Sequence, residues 1–534
     1  MTAKTRTFIA PLVVGAFILV SASFFFYSRL AKAAKEPVAE NQPVTKPVSN
    51  TPADLALAGE LDRTIDESAS GNARWGVFVT SMNDGRVIYS RNGDKLFTPA
   101  SNMKIFTTAV ALDLLGPDYR WRTSAYTESQ IDSSGTIAGD LILYGRGAPD
   151  FDSKQKESLP ALVDQLYQRG LRHVRGNIIG DQSYFRGSLY GDGWQWNDLQ
   201  WYFGAEPSAL SIDENTVEVT IAPAGKAGSS ADVVITPNDN YVRLTNSTKT
   251  ADGDTPTTIG IIRDLSSNDL RVWGEFPTRG RSFSAFLSIY DPARRAATLL
   301  KQALIARGIR VDGEPQDRDA RVPEDKKFDP QKAIEMAFVE SKSLGEIVRK
   351  TNKESNNLYA ELILRTLGKE RGTSAPDPDQ RRNRARGDDV AGVAVIQSWL
   401  NSHGIPAKAL ALHDGSGLSR LDLITPESAA RLLAEMAKSA ASNVFRDSLP
   451  IAGRDGTLNG RLVSTSGRIL AKTGTLTYDH SLSGYALTSG GEVLSFSILC
   501  NDAAGESRPV GTIDALAKLL AAYGPENKDK SPVK

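Results

Sequence analysis

The sequence predicts an α/β (α+β) fold in which a helix-and-sheet domain is interrupted by a long, mainly β insertion. Helical periodicity is strong near residue 105 and again from about 341 to 438. The stretch between about 120 and 290 instead alternates short β-like runs with Gly, Asn, Asp and Pro turns. A chain of 534 residues also exceeds one ordinary domain. These observations together predict a split domain with inserted units.

A helix is predicted where apolar residues recur about every 3.6 residues, and a strand where they alternate with polar ones, in each case between turn signals. In chain order they are a helix at 55–68, strands at 75–81 and 87–91, a helix at 105–115, β-like runs at 122–127, 140–144, 176–180, 216–221, 232–235 and 241–245, helices at 292–307 and 346–367, strands at 468–473, 481–487 and 493–500, and a helix at 510–523.

The N-terminus carries an apolar segment that predicts export. Phe8–Tyr27 is free of charge and follows two basic residues. Its length suits a membrane-spanning helix, whereas the Ala-Lys-Ala run at residues 31–33 suits cleavage of a signal peptide. Residues 1–35 are therefore either a membrane anchor or a signal peptide. Both alternatives predict a periplasmic or extracytoplasmic protein, and the Pro-containing stretch 36–54 is predicted to be a linker.

Composition excludes several classes of protein. Hydrophobic residues make up 40% and charged residues 24%, as in ordinary globular proteins. Lys+Arg and Asp+Glu both number 63, so net charge gives no reason to expect a nucleic-acid partner. Cys500 is the single cysteine, which excludes an intramolecular disulfide and a cysteine-based zinc cluster. Its apolar surroundings predict a buried packing residue.

A Ser-x-x-Lys motif begins at Ser101 and ends at Lys104, where a long apolar helix starts. This spacing sets the two side chains side by side, so a buried Lys104 could lose its proton and act as base toward the hydroxyl. Ser153–Lys156 and Ser531–Lys534 share the spacing, but they lie in charged or polar stretches. The alternative role for Ser101 is a helix N-cap.

A second motif is the Ser-Asn-Asn triplet that begins at Ser355, within a helical pattern. The Ser355 hydroxyl can relay a proton, and the amide of Asn357 can both donate to and accept from a peptide. Most such triplets are turn or cap residues, and residues 70–72 and 266–268 share the spacing.

The third motif, at residues 472–475, lies on a predicted strand. A cation and two hydroxyls on one strand can bind a carboxylate, and a glycine leaves the strand edge open to a ligand. The alternative is an edge strand that ends in a turn. The residues are Lys472, Thr473, Gly474 and Thr475.

The three motifs, in this order, resemble those of β-lactamases and penicillin-binding proteins. About 250 residues separate Lys104 from Ser355, far more than in class A β-lactamases. The chain therefore resembles the class C low-molecular-mass penicillin-binding proteins, the D-alanyl-D-alanine carboxypeptidase/endopeptidase family. The resemblance spans about residues 55 to 525 and includes further segments at 176–185, 193–203, 414–420 and 452–458.

This resemblance implies a serine transpeptidase/β-lactamase-like domain interrupted by two smaller, mainly β domains. The split domain would comprise residues 55–118 and 335–534, and the inserted region residues 119–334. Peptidoglycan stem peptides and β-lactam antibiotics would be the partners. The membrane would be a further partner only through the N-terminal segment. The resemblance implies no cofactor and no metal.

The resemblance also implies roles for the motif residues. Ser101 would attack the D-Ala-D-Ala carbonyl while Lys104 takes its proton. Ser355 and Lys472 would pass a proton to the departing D-Ala, and Asn357 would hold the peptide amide. The hydroxyls of Thr473 and Thr475 would bind the terminal carboxylate of the substrate, beside Gly474. The N–H groups of Ser101 and Thr475 would bind the oxyanion.

In the same family a carboxylate and a guanidinium read the charged end of a diaminopimelate side chain. By motif, Asp198 would bind the amine, Phe203 would line the pocket and Arg420 would meet the carboxylate. The alternatives are a capping Asp among packed Trp side chains and a surface Arg.

Four other classes of protein compete with this interpretation. A Ser-His-Asp hydrolase has only Gly415-Ser416-Gly417 beside His413 as candidate, without the glycine spacing of a nucleophile elbow. A serine β-lactamase shares the motifs, but the long insertion argues against it. A catalytically inactive envelope protein that binds peptidoglycan or penicillin would not need all three motifs intact. A metal enzyme would need a His-Glu-x-x-His or Cys/His cluster, which the sequence lacks.

Overall fold

The computed structural model describes five stretches of the chain, residues 48–253, 255–321, 328–372, 387–505 and 508–524. The Phe8–Tyr27 segment, predicted to be a signal or an anchor, lies outside them. Within these stretches, no helix combines the length and the apolar character that a membrane span requires.

The helices of the described residues are most frequent between residues 344 and 448. In chain order they are α1 (Pro52–Asp66), α2 (Met103–Leu115), α3 (Leu159–Gln168), α4 (Pro292–Ala306), α5 (Leu344–Lys353), α6 (Asn357–Arg371), α7 (Asp388–Ser402), α8 (Pro426–Met436), α9 (Ser442–Ser448) and α10 (Pro509–Ala522).

The strands of the described residues fall into five sheets. They are β1 (Arg74–Ser81), β2 (Val87–Arg91), β3 (Arg122–Thr127), β4 (Thr136–Ile137), β5 (Leu141–Tyr144), β6 (His173–Val174), β7 (Ile178–Asp181), β8 (Thr216–Ala222), β9 (Asp232–Thr236), β10 (Arg243–Ala251), β11 (Gly260–Arg263), β12 (Asp269–Pro277), β13 (Phe283–Ser288), β14 (Arg310–Val311), β15 (Pro315–Arg318), β16 (Ile334–Glu340), β17 (Ile469–Leu476), β18 (Asp479–Leu487) and β19 (Val493–Asn501).

The sheet that carries the site joins strands from both ends of the chain. Its order is β17-β18-β19-β1-β2, and every neighbouring pair is antiparallel. Side chains of β19 alternate between its faces, as the period of two requires. Phe496 and Ile498 pack in one core with α1 and α10 residues, while Ser495 Oγ donates to the Ala430 carbonyl of α8. Helices therefore cover both faces of the sheet.

Cys500 lies in the core that Phe496 and Ile498 form with α1 and α10, and it is fully buried. Burial raises the pKa of its thiol to about 12, with smaller contributions from Asp479 and Asp502. A buried thiol of this pKa is inert at neutral pH. The prediction of a packing cysteine is confirmed.

The chain between α2 and α5 forms the other four sheets. β10-β12-β11 and β13-β8-β9 share one apolar core. The five-stranded sheet β15-β7-β5-β3-β16 packs with α3 and α4, and its core is continuous with that around α2. The predicted boundary at 334/335 falls at the start of β16, which pairs with β3. The division into domains stays a prediction.

Most predicted elements are present, and the structure adds several that were not predicted individually, including β12, β13, β16 and α9. Three further differences stand out. α1 begins at Pro52, inside the stretch predicted as linker, because Thr51 caps its first turn through the N–H of Asp54. α3 is absent from the predicted elements, although its buried Leu and Val side chains recur at helical spacing. The third difference, in the predicted helix 346–367, shapes the candidate site.

Candidate active site

Ser101 lies in a short 3₁₀ turn, Ala100–Asn102, that leads directly into α2. The N-cap of α2 is Asn102, so the alternative role of Ser101 as N-cap is wrong. Ala100 has a φ of 49°, which non-glycine residues seldom adopt. Asn102 Nδ2 donates to Ser483 Oγ at 2.7 Å and ties the turn to the central sheet. The Ser101 hydroxyl is thus held at a fixed, partly exposed position.

Lys104 is completely buried one turn after Ser101. Its Nζ donates to Ser101 Oγ at 3.1 Å, to Asn357 Oδ1 at 2.6 Å and to the Ser416 carbonyl at 2.7 Å. Burial lowers the pKa of Lys104 to about 7, although the nearby carboxylates of Asp414 and Glu361 oppose the shift. An amine that is partly neutral at pH 7, beside a serine hydroxyl, can act as its base.

Ser355 lies between two helices, not within one. The predicted helix at 346–367 is wrong here: α5 ends at Lys353 and α6 begins at Asn357. Ser355 has a φ of 61°, which interrupts the helical backbone and turns its hydroxyl toward Lys472. Without this break Ser355 would share the regular geometry of a helix face.

Lys472 on β17 is the second completely buried lysine of the site. Its Nζ donates to Ser355 Oγ at 2.8 Å and to the Thr473 carbonyl at 2.8 Å. Burial and repulsion by Lys104 lower its pKa well below the ordinary value. The structure therefore contains two serine–lysine pairs, and Asn357 contacts the lysine of the first.

Gly474 makes the close contact between β17 and the turn that holds Ser101. A Cβ added at Gly474 would lie 2.2 Å from Ser481 Oγ, 2.8 Å from the Pro99 carbonyl oxygen and 3.0 Å from the Ser101 nitrogen. Only glycine lets the strand approach this closely. Thr475, the next residue, is exposed, and Thr473 Oγ1 donates to Thr457 Oγ1 at 2.7 Å.

The residues predicted to bind a diaminopimelate side chain lie near the same site. Burial raises the pKa of Asp198, and the positive charge of Arg420 opposes the shift. Arg420 Nη1 donates to the Thr477 carbonyl at 3.2 Å and to Asp479 Oδ2 at 3.3 Å. The Phe203 carbonyl accepts from Asn357 Nδ2 at 2.8 Å.

The loop 414–419, behind Lys104, has a structural role that the sequence analysis does not assign. Two buried carboxylates hold it by its N–H groups. Glu361 Oε1 accepts from Gly415 and Ser416, both at 2.9 Å, and its other oxygen accepts from Arg365 at 2.8 Å. Asp414 accepts from the backbone and from Trp194 Nε1 at 2.8 Å. The loop in turn presents the carbonyl that accepts from Lys104.

A signal for this loop exists in the sequence, because Glu361 and Arg365 are charged residues four apart in an otherwise apolar helical run.

The same loop excludes the Ser-His-Asp alternative. Ser416 is fully buried and its Oγ donates to Asp414 at 3.2 Å, whereas His413 Nδ1 lies 2.8 Å from Asp192.

The Ser-x-x-Lys match that begins at Ser153 takes no part in the site. Ser153 donates to Asp213 Oδ2 at 2.9 Å and belongs to neither serine–lysine pair. Ser531–Lys534 lies outside the described residues.

The fold is mixed α/β, as predicted, and it matches that of a solved penicillin-binding protein. A solved structure with the same arrangement is penicillin binding protein 4 from Haemophilus influenzae, which matches at a TM-score of 0.72 and 24% identity over 87% of this chain and 98% of that one. The chain belongs to the D-Ala-D-Ala carboxypeptidase 3 (S13) family, whose model matches residues 57–523. It is accordingly a serine-type D,D-peptidase.

Two curated relatives extend the comparison. The D-alanyl-D-alanine carboxypeptidase of Actinomadura sp. (strain R39) is 32% identical over 480 residues, which cover 88% of this chain and 85% of the relative. D-alanyl-D-alanine carboxypeptidase DacB of Haemophilus influenzae is 26% identical over 426 residues, which cover 79% of this chain and 84% of the relative. The resemblance stated from the motifs is confirmed at the level of the family.

Proposed function

We propose that the protein cleaves D-Ala-D-Ala through an acyl-enzyme on Ser101. The observation that carries this proposal is the convergence of Lys104 on Ser101 and of Lys472 on Ser355, with Asn357 between the pairs. Lys104 takes the hydroxyl proton as Ser101 Oγ bonds to the penultimate D-Ala carbonyl carbon. The peptide C–N bond then breaks, and water later hydrolyses the ester.

In this proposal Ser355 and Lys472 deliver a proton to the departing amine. Lys472 is held 2.8 Å from Ser355 Oγ, a distance suited to proton transfer. Thr473 and Thr475 bind the terminal carboxylate, and Asn357 orients the peptide. The N–H groups of Ser101 and Thr475 stabilise the oxyanion, which the close approach at Gly474 supports.

We further propose that the substrates are peptidoglycan stem peptides, cleaved at the terminal D-Ala or at the D-Ala-diaminopimelate crosslink. The charge of Arg420 acts on Asp198, so the two are near enough to interact, and together they offer one negative and one positive group. Such a pair suits the zwitterionic end of a diaminopimelate side chain. Phe203 lines this pocket. Penicillins acylate the same serine, and a relative of this fold has been solved as a β-lactam complex.

A cell-wall substrate requires that the enzyme work outside the cytoplasmic membrane. We propose an extracytoplasmic location, with Phe8–Tyr27 as export signal or anchor. The transpeptidase-like domain comprises residues 55–118 and 335–534, and the inserted region comprises residues 119–334.

The test replaces the nucleophile. Ser101→Ala is expected to lower D-Ala release by at least about 10⁴-fold and to abolish covalent labelling by a fluorescent penicillin, because the ester cannot form. Both are measured on the purified protein. Ser153→Ala, in the decoy Ser-x-x-Lys motif, is the matched control and should label as the unmodified protein does.

Two other outcomes separate the alternatives. Labelling that persists in Ser101→Ala would mean that another residue is the nucleophile. An unmodified protein that labels but releases no D-Ala would be an inactive penicillin-binding protein, whereas rapid turnover of penicillin would make it a β-lactamase.

A further inference from the structure

Glu214, in the chain just before β8, contacts the middle residue of the Ser355-Asn356-Asn357 triplet. Asn356 Nδ2 donates to Glu214 Oε2 at 2.8 Å. Asn356 Oδ1 accepts from the N–H of Tyr359 at 3.1 Å and so caps α6. Both polar atoms of the Asn356 side chain are therefore hydrogen-bonded. The oxygen binds within the helix, and the nitrogen binds Glu214 of the inserted region.

Glu214 also binds the other side of the helix break. Lys350, in the last turn of α5, donates from Nζ to Glu214 Oε1 at 2.6 Å. One carboxylate thus bridges the end of α5 and the start of α6, with Ser355 between them. The break itself is held at a backbone conformation, φ 61° at Ser355, that serine seldom adopts unless its surroundings impose it.

The turn that presents Glu214 is itself unusual and well held. Asp213, Glu214 and Asn215 have φ values of 50°, 53° and 55°, all in the left-handed region. The buried amide of Asn215 donates to the Glu206 carbonyl and to Ser211 Oγ, and accepts from the Ile212 N–H. Such a turn persists only where the surroundings determine it, and here it fixes the direction of the Glu214 side chain.

We propose that Glu214 is a positioning residue for the reaction: from the inserted region, it fixes Asn356 and thereby the geometry of Ser355 and Asn357. This inference rests on the proposed roles of Ser355 and Asn357. Asn356 is bonded to both of them along the chain. A change in the Asn356 side chain therefore moves two groups together: the Ser355 hydroxyl, which accepts from Lys472, and the Asn357 amide, which accepts from Lys104.

The test uses the fact that, in the hydrogen bond between them, Asn356 is the donor and Glu214 is the acceptor. Asn356→Asp sets a carboxylate against Glu214 and removes the donor, so the two groups repel. Because Asp can still cap α6, the helix should persist. We expect kcat for D-Ala release to fall about ten-fold or more while KM changes little, as small displacements of reacting groups mainly slow the chemical steps.

The double variant Glu214→Gln with Asn356→Asp reverses the bond, since the glutamine amide introduced at position 214 can donate to the carboxylate introduced at position 356. It should restore kcat to within about three-fold of the unmodified protein. The matched control combines Asn356→Asp with Glu218→Gln, which removes the same charge four residues away on β8. This control should stay as slow as Asn356→Asp alone.

Rescue by the first double variant and not by the control supports the proposal. Equal kcat in both double variants, or a normal kcat in Asn356→Asp, would overturn it. Thermal unfolding of each variant shows whether it is folded. If Asn356→Asp does not fold, Glu214→Ala replaces it: a folded variant with unchanged kcat contradicts the proposal, and a folded one with reduced kcat supports it.

These outcomes are distinct from a failure of the proposed function. If Ser101→Ala still labels with penicillin, the nucleophile is misassigned whatever the Glu214 variants do. If Ser101→Ala is unlabelled but the double variant shows no rescue, only the role of Glu214 fails.

Discussion

The charge of Lys104 is set by two opposing effects at the scale of one residue. Complete burial favours the neutral amine, whereas Asp414 and Glu361 favour the ammonium. Burial also raises the pKa of Glu361, to about 7, with a smaller contribution from Asp414. Lys472, by contrast, is near another cation, and its pKa falls well below the ordinary value. Both buried lysines are therefore easier to deprotonate than an exposed lysine, and the pKa of Lys104 falls to about 7.

The first prediction concerns the pH dependence of acylation. Because Lys104 must be neutral to accept the Ser101 proton and its pKa is about 7, the acylation rate should fall roughly ten-fold per pH unit below about pH 6. Above about pH 8 the amine is neutral and the rate should level off. The measurement is the second-order rate of labelling by a fluorescent penicillin between about pH 5 and 9.

Lys104→Arg is the companion variant, because a guanidinium keeps the positive charge and does not deprotonate in this range. It should be inactive at every pH while its thermal unfolding remains cooperative. A flat profile in the unmodified protein between about pH 5 and 8, or activity in Lys104→Arg, would remove Lys104 as the base.

At the scale of elements, the site depends on how closely β17 meets the turn before α2. Gly474→Ala would add a methyl group 3.0 Å from the Ser101 nitrogen and 2.2 Å from Ser481 Oγ. The strand or the turn must then move. We expect acylation to slow about 100-fold and the free energy of unfolding to fall by about 1–3 kcal/mol, since the site is overpacked. Penicillin labelling and urea unfolding measure the two effects.

Gly59→Ala is the matched control for this prediction. Gly59 is an exposed residue of α1, where an added Cβ would meet no atom within 4 Å. The substitution should leave acylation unchanged and stabilise the protein by up to about 1 kcal/mol through helix propensity. If Gly474→Ala acylates as fast as Gly59→Ala, the close approach at Gly474 does not matter for catalysis.

The elements also show what the sequence can and cannot predict. The strand with Lys472 and the helix after Ser101 follow from local periodicity, and both are predicted. The helix break at Ser355 is not, because apolar spacing continues through it and serine does not signal a positive φ. The contact of Trp194 with Asp414 joins residues more than 200 positions apart, which no local pattern can reveal.

At the scale of the whole molecule, residues 119–334, the predicted inserted region, hydrogen-bond to the catalytic elements at several points, and three of these bonds lie next to the site. The Phe203 carbonyl accepts from Asn357, Glu214 accepts from Asn356, and Trp194 donates to Asp414. The inserted region is thus bonded both to the Ser-Asn-Asn segment and to the loop behind Lys104. It can influence the reaction without supplying a nucleophile or a base.

The last prediction separates substrate reading from catalysis in this region. Asp198→Ala removes the carboxylate that is proposed to bind the side-chain amine, so it should lower kcat/KM for a diaminopimelate-containing peptide by about 10–100-fold. A plain acyl-D-Ala-D-Ala has no side-chain amine to bind, and its kcat/KM should change by less than about two-fold. Release of D-Ala from both peptides gives the two constants. Asp232→Ala, at an exposed position on β9 in the same region, is the control and should change neither. An equal loss on both peptides would mean that Asp198 supports the site's structure instead of reading the side chain.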